Sequence, residues 1–262
     1  MVDKLFDISD VLSIWNVNPN QEGEYFKKLH VESNPILTEV FNMTRTVPIV
    51  VDVKRMTQKY VGVDLQNWWG WTLEEMFGEG VKSYMTLIHP EDLAIHEQIS
   101  YLFFQTLEEC DYREKHQLKT IFTFRLRKAN GDYVEILQLT RILELAPDGS
   151  IQTLLVLLQE LSHINHIPKR YVHFLGINQR QRLYEYQEQS QKMIELALPT
   201  KREKEIIGLL ITGWESQQIA DKLFVSKHTI DTHRRRILQK FRLKNTQELS
   251  HLVSMTQLLD CD

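Results

Sequence analysis

Cysteine is scarce in this chain of 262 residues, which contains only Cys110 and Cys261. The two cysteines lie far apart and form no C-x-x-C pair, so the sequence predicts neither a disulfide framework nor a cysteine-based zinc site. Glycine is also scarce, with ten residues, and the sequence has no phosphate-cradling glycine-rich loop, nucleophile elbow or H-E-x-x-H motif. We therefore expect no catalytic residues, no metal site and no enzymatic activity.

Long apolar runs are missing as well, because no segment approaches the ~20 apolar residues that a membrane span needs. The first residues, Met1 to Asp7, are acidic and lack the basic-then-apolar order of a secretory signal. These two observations predict a cytoplasmic protein with no membrane partner.

An overall excess of basic charge is also absent, since the formal net charge is -4. The charge is uneven, because residues 199–262 carry eleven Lys and Arg against eight Asp and Glu, a net of +3. The length exceeds the roughly 100 to 200 residues of one domain. The sequence predicts four segments: a helical cap over 1–46, an α+β domain over 47–165, a linker helix over 166–198 and a basic domain over 199–262.

Two of these segments are predicted to be helical. The cap has helical stretches at 10–15 and 22–29, with helix breakers at Pro19, Gly23 and Pro35. The linker helix covers 178–196, where apolar residues fall near heptad spacing, namely Leu183, Tyr186, Met193 and Ala197. Two interpretations of the linker stay open, a short dimer-forming helix and a solvated helix that lies across one domain.

β-branched and alternating residues dominate the segment 47–165. Strands are predicted at 47–53, 59–63, 121–128, 133–144 and 151–159, with short helices between the second and the third. Ala129-Asn130-Gly131-Asp132 and Pro147-Asp148-Gly149 are predicted turns. The expected fold of this domain is α+β, a five-stranded antiparallel sheet with helices.

This order of elements, and four stretches of sequence, resemble the PAS sensor family. The stretches are 60–63, 70–75, 88–93 and 124–133. The resemblance implies a core that holds heme, flavin or a small molecule, or one that serves only for dimerisation. The flavin-adduct motif with a reactive cysteine is absent around Cys110, so blue-light adduct chemistry is not expected. Which cofactor the core holds, or whether it holds none, stays open.

Histidines and tryptophans are the candidate ligand contacts of the sensor domain. His89, His96 and His116 are candidate axial heme ligands, although a helix-capping role is preferred for His89. Trp68, Trp69 and Trp71 could stack on a ligand, and core packing is the preferred interpretation.

Helix signals define the basic domain. Thr200-Lys201-Arg202-Glu203 is a capping box that begins a first helix, and Gly213 ends it. A second short helix and the connection Phe224-Val225 follow, and Ser226 caps a third helix over 227–241. Asn245-Thr246-Gln247-Glu248 begins a fourth helix. Helix, short turn, helix is the unit that enters a DNA major groove.

Spaced residues across this domain resemble the LuxR (GerE-type) helix-turn-helix family. They are 200–206, Gly213, Ile219, Ala220, Leu223, Ser226, Thr229, Ile230, His233, Ile237 and Lys240. The resemblance implies an all-α four-helix domain whose third helix reads the major groove and whose fourth helix mediates dimerisation. Gln217, in place of the usual Lys of the second helix, and Arg242, in place of the usual Gly after the third, depart from the family pattern.

The resemblance also implies individual contacts. Asp231, Thr232 and Arg235 would face base edges, where Arg can pair with guanine, Thr can meet a thymine methyl and Asp can accept from cytosine. The implied phosphate contacts are Lys227, His228, Thr229, His233, Arg234 and Lys240. The implied dimerisation residues are Leu249, Leu252 and Val253.

The resulting expectation is a homodimeric transcriptional regulator that binds double-stranded DNA, with a signal, small-molecule ligand or partner sensed by the PAS-like domain. One alternative is a ligand- or partner-binding signalling adaptor that uses the C-terminal helices for protein contacts.

Overall fold

A computed structural model describes residues 35–62, 65–161, 169–177 and 180–259. The helices predicted at 10–15 and 22–29 lie outside these residues. Helix α1, Pro35–Met43, begins at the proline that the sequence marked as a breaker. Proline fits the first turn of a helix, because its missing N–H has no intrahelical acceptor there.

The N-terminal part of the described chain alternates strands and short helices. The strands are β1 Thr46–Asp52, β2 Thr57–Val61, β3 Lys119–Arg127, β4 Tyr133–Leu145 and β5 Ile151–Glu160. Between β2 and β3 lie α2 Leu65–Trp69, α3 Leu73–Phe77, α4 Val81–Met85, α5 Pro90–Glu108 and α6 Tyr112–Lys115. The five predicted strands and the helices between the second and third are therefore confirmed.

Both predicted turns adopt the conformations that glycine permits. Gly131 has φ +91° and Gly149 has φ +80°, in the left-handed region. The Lys128 amide donates to the Asp132 carbonyl at 2.8 Å, and the Ala146 amide donates to the Ser150 carbonyl at 2.8 Å. These turns fix the register of the β3–β4 and β4–β5 hairpins.

The sheet has eight antiparallel strands, so the predicted count of five is wrong. The additional strands are β6 Tyr171–Ile177, β7 Arg180–Gln187 and β8 Lys192–Leu196. They extend the sheet beyond β3, in the order β2-β1-β5-β4-β3-β6-β7-β8. The predicted linker helix over 178–196 is therefore wrong in both of its interpretations.

The physical reason is an alternation of period two, which the heptad interpretation overlooked. Leu183 packs in the core of the C-terminal domain, whereas Tyr184 and Tyr186 pack in the core of the N-terminal domain. In β6, Tyr171 and Val172 divide between the two cores in the same way. A strand buried on both faces needs tertiary partners on both sides, and local spacing alone does not reveal them.

Four helices follow the sheet: α7 Lys201–Ile211, α8 Ser216–Leu223, α9 Lys227–Lys240 and α10 Thr246–Thr256. Their core consists of residues such as Ile207, Ile219, Ile230 and Leu249, each 0% exposed. The predicted all-α four-helix unit is confirmed. None of the helices in the described ranges combines the length and apolar character that a membrane crossing requires.

Candidate nucleic-acid interface and sensor cavity

The helix-turn-helix unit begins at the predicted capping box. The Glu203 amide donates to Thr200 Oγ1 at 3.2 Å, and the Thr200 amide donates to Glu203 Oε2 at 2.8 Å. Gly213 follows the helix with φ +88°, so the predicted start and stop of α7 are confirmed. This helix supports the two that follow it.

The turn between α8 and α9 sets the orientation of α9. Phe224 adopts the left-handed conformation with φ 54°, and its side chain is 96% exposed. Ser226 then caps α9, because its Oγ accepts the Thr229 amide at 3.1 Å. Ile230, Ile237 and Phe241 point inward and are each 0% exposed, which leaves the opposite face of α9 toward solvent.

The solvent face of α9 carries the predicted base readers. Asp231 and Arg235 are exposed, and Thr232 is half-buried beside them. Arg235 follows Asp231 by four residues and Thr232 by three, so its side chain lies next to both on the helix surface. A shallow groove along this face is lined by Asp231, Arg235, Gln239 and Lys244. The surface combines guanidinium, carboxylate and amide groups, which are the groups that distinguish base pairs.

The predicted phosphate-contacting residues have different surroundings. Lys227 and His228 are exposed at the first turn of α9, and His233 is half-buried. Arg234 Nη2 donates to Thr246 Oγ1 at 2.7 Å, and the Thr229 hydroxyl lies 2.8 Å from Ser226 Oγ. The two exposed residues are therefore the ones best placed for phosphate oxygens.

Lys240 forms an ion pair that the sequence did not predict. Its Nζ lies 2.7 Å from Glu203 Oε2, and both side chains are mostly buried. Burial raises the pKa of the Glu203 carboxyl. The hydrogen bond from Lys240, followed by the one from the Thr200 amide, outweighs this effect, so the pKa of Glu203 is lowered. The ion pair joins α9 to the cap of α7, and the predicted phosphate contact of Lys240 would compete with it.

The two residues that depart from the family pattern, Gln217 and Arg242, both make contacts within the chain. The side-chain amide of Gln217 donates through Nε2 to Asp221 Oδ1 at 2.8 Å within α8. Arg242 has φ 54°, the left-handed conformation that a glycine would adopt more easily. Its guanidinium lies 3.7 Å from Glu185 of β7.

The fourth helix is covered within the chain. Leu249, Leu252 and Val253, the predicted dimerisation residues, are 0%, 1% and 8% exposed. They pack in the core of the C-terminal domain. Hydrophobic residues at helical spacing fit both a dimer interface and an intramolecular core, and this structure uses them for the second.

Helix α10 also contacts the sheet. His173 of β6 is 0% exposed, and its Nδ1 lies 2.6 Å from the carbonyl oxygen of Thr256. Since a carbonyl only accepts, the ring donates through Nδ1. Lys169 Nζ donates to Glu185 at 2.7 Å and to the Arg242 carbonyl at 2.7 Å. The C-terminal domain is thus docked on β6 and β7.

The three candidate heme histidines lie apart. His89 Nδ1 accepts the Glu91 amide at 3.2 Å and caps α5, which confirms the capping interpretation. His116 is half-buried at the end of α6. His96 is buried within α5, where its ring packs edge-on against Phe122 and Phe124. Among the three, only His96 lines the cavity described below.

The tryptophans are packing residues, as preferred. Trp69 is 1% exposed and donates through Nε1 to Glu160 Oε2 at 3.0 Å. Trp71 Nε1 donates to the Arg127 carbonyl at 2.8 Å, and Trp68 lies beneath the Arg45 guanidinium.

Cys110 donates to the Thr106 carbonyl, and burial raises the pKa of its thiol. This environment makes the thiol less nucleophilic.

A cavity of about 130 Å³ lies between the sheet and the helices of the N-terminal domain. Its floor is a cross-strand row of Ile49, Val156, Thr140 and Thr120 from β1, β5, β4 and β3. Its other walls include Tyr84 of α4 and His96 of α5. The sequence reasoning missed Tyr84 and Thr120. The inward position of Thr120 could have been predicted, because the alternation of side chains along β3 places it on the same face as Phe122 and Phe124.

Comparison with known proteins identifies the C-terminal domain. Residues 198–253 match the family described as bacterial regulatory proteins, luxR family. The oxygen regulatory protein NreC of Staphylococcus carnosus is 43% identical over 61 residues, which are 23% of this chain and 28% of that protein. The match thus spans little more than a quarter of the relative's length. The C-terminal domain is a luxR-family helix-turn-helix domain.

Solved structures overlap with larger parts of the chain at low similarity. The N-terminal domain of a diguanylate cyclase with a PAS/PAC sensor from Marinobacter aquaeolei has TM-score 0.35 and 19% identity, covering 46% of this chain and 99% of that one. The Vibrio cholera VqmA–ligand–DNA complex has TM-score 0.31 and 13% identity, covering 85% of this chain and 89% of that one.

Proposed function

We propose that this chain is a sequence-specific, DNA-binding transcriptional regulator that acts as a homodimer in the cytoplasm. The observation that carries the proposal is the solvent-exposed face of α9, with Asp231 and Arg235, within a luxR-family domain. A helix of this kind, projecting from a compact helical support, has the dimensions to enter a major groove.

In the proposed complex, Arg235 pairs with a guanine, Thr232 meets a thymine methyl or a polar base edge, and Asp231 accepts from a cytosine amino group. Lys227 and His228 at the first turn contact phosphates, and Thr229, His233 and Arg234 lie nearer the backbone than the bases. The net charge of the domain is small, so a dimer that binds two half-sites would supply the affinity that one domain lacks.

The proposed dimer has an interface other than the one the sequence predicted. Leu249, Leu252 and Val253 face the core of their own chain. Pairing through α10 would therefore require the C-terminal domain to leave the sheet. We propose that the N-terminal domain is a PAS-like sensor whose state sets the position of the C-terminal domain, and thereby the spacing of two recognition helices.

Binding to fragments of chromosomal DNA from the source organism at low salt tests the proposal. We expect a few fragments to bind at least tenfold more tightly than the bulk. Arg235→Ala should remove this preference at one base position, by about 1 to 3 kcal/mol. Arg113→Ala is the matched control, because Arg113 is an exposed arginine of α6, outside the C-terminal domain.

Failure of the wild-type protein to prefer any fragment would contradict the proposal. If Arg235→Ala left the regulated cellular activity unchanged, the C-terminal helices would instead serve protein contacts in a signalling adaptor.

A further inference from the structure

Three buried polar atoms in the cavity have no hydrogen-bond partner among the described residues. They are the Tyr84 hydroxyl, His96 Nε2 and Thr120 Oγ1. His96 is 8% exposed and Thr120 is 2% exposed. A buried polar group without a partner costs about 1 to 3 kcal/mol, so three of them converging on one cavity indicate a molecule that satisfies them.

The lining of the cavity carries no Asp, Glu, Lys or Arg side chain among its eighteen described residues. Burial lowers the pKa of His96 to about 4 and raises that of Tyr84, so both groups are neutral at pH 7. A charged molecule inside would lose its hydration without gaining a counter-ion, at a cost of several kcal/mol. This environment excludes carboxylates, phosphates and ammonium groups.

The volume limits the size of the occupant. An engineered cavity of about 150 Å³ in another protein holds one benzene molecule. The present cavity, at about 130 Å³, is slightly smaller and therefore limits the occupant to a molecule with one ring. It is much too small for a porphyrin or a flavin, so heme or flavin would need a different conformation of the domain.

We infer that this cavity binds a small, neutral, one-ring molecule with hydrogen-bonding substituents, and that Tyr84, His96 and Thr120 are its polar contacts. The inference rests on the proposed sensor function and names the chemical class of its ligand. The apolar remainder, which includes Ile49, Phe77 and Phe122, packs against the ring faces and edges.

The contact with Thr120 also connects the cavity to the C-terminal domain. Thr120 faces the cavity, and the next residue of β3, Ile121, faces the opposite side of the sheet because side chains alternate. Ile121 pairs directly with His173 of β6, whose ring is bonded to the Thr256 carbonyl of α10. A ligand that shifts β3 would therefore act on the docking of α10.

Three one-ring probes with the full-length protein test the inference: phenol, toluene and benzoate. Their dissociation constants are measured by NMR titration at pH 7. We expect phenol to bind more tightly than toluene and benzoate not to bind. Each hydrogen bond should contribute about fivefold. The double variant Tyr84→Phe, Thr120→Val keeps only the contact with His96, so its preference for phenol over toluene should fall to about fivefold.

Tyr171→Phe is the matched control, because it removes a buried hydroxyl outside the cavity that likewise has no partner within the described part of the chain. It should leave the preference for phenol unchanged. The single variant His96→Leu checks the imidazole and should weaken phenol binding by a similar factor. Circular dichroism of each variant verifies that it is folded before the titration.

Three results would overturn the inference. Benzoate could bind as tightly as phenol, the double variant could keep the full preference for phenol, or neither neutral probe could bind, which would assign the cavity to water alone. The same preparations are tested for DNA binding. Phenol selectivity without DNA binding would contradict the proposed function only, and DNA binding without phenol selectivity would contradict the ligand class only.

Discussion

Lys227 and Lys240 are both lysines of the recognition helix, and their surroundings assign them opposite roles. Lys227 is exposed at the first turn, whereas Lys240 is paired with Glu203. Each phosphate contact changes the slope of log affinity against log salt by about 0.9. We predict that Lys227→Ala lowers the magnitude of this slope by about that amount and that Lys240→Ala leaves it unchanged, as measured by fluorescence anisotropy. Equal changes in both variants would contradict the assignment.

His96 makes the stability of the protein depend on pH. Its folded pKa, about 4, is below the value of 6.5 in an unfolded chain, because burial disfavours the charged ring. The unfolded state therefore binds the proton first, and stability is lost as the pH falls from 6.5 toward 4. From pH 7 to pH 5 this group should cost about 2 kcal/mol.

Urea unfolding at the two pH values measures this effect. His96→Leu should reduce the loss by about 2 kcal/mol, while the buried His173, whose pKa is also lowered, keeps a remaining loss in the same direction. His228→Gln, which changes an exposed histidine, is the control. An identical pH dependence in wild type and His96→Leu would show that His96 is hydrated in solution.

Residues with local chemical signals were the ones that sequence reasoning could assign. Thr200, Ser226 and His89 were correctly assigned as caps, because a cap depends on residues two or three positions away. The ion pair of Lys240 was not predicted, because its partner Glu203 is distant in sequence and only the packing of α9 on α7 brings the two together. Tyr84 was missed for the same reason.

At the scale of elements, the N-cap of α9 contributes to the free energy of unfolding. Ser226 Oγ accepts the Thr229 amide at 3.1 Å, and such a cap contributes about 1 kcal/mol. We predict that Ser226→Ala lowers the free energy of unfolding by that amount in urea titrations. Ser254→Ala is the control, because the Ser254 hydroxyl bonds back to the Ser250 carbonyl inside α10 and contributes little. Equal losses in both variants would contradict the capping role.

The strands differ in how far the sequence could predict them. Strands β1 to β5 carry β-branched runs and are delimited by glycine turns, and the prediction located all five. Strands β6 to β8 were taken for a helix, because Glu and Gln are good helix formers and the apolar residues fell near heptad spacing. Their pairing with β3 and their burial between two cores are tertiary effects that override local propensity.

At the scale of the whole molecule, the docking of α10 on the sheet is one of the contacts between the two domains. His173 donates to the Thr256 carbonyl across this contact. We predict that His173→Phe, which removes the bond, raises the hydrogen exchange rate of the α10 amides by about tenfold, the equivalent of one buried hydrogen bond. His116→Phe is the matched control. Unchanged exchange would mean that the docking does not depend on this bond.

The central claim is that α9 reads DNA as one half of a two-fold assembly. Selection of bound duplexes from a random library, by wild type and by Arg235→Ala, tests it most directly. The account predicts a two-fold symmetric motif with half-sites about 34 Å apart for the wild type, and loss of information at one guanine of each half-site for the variant. No enriched motif for the wild type, or the same motif for both proteins, would contradict it.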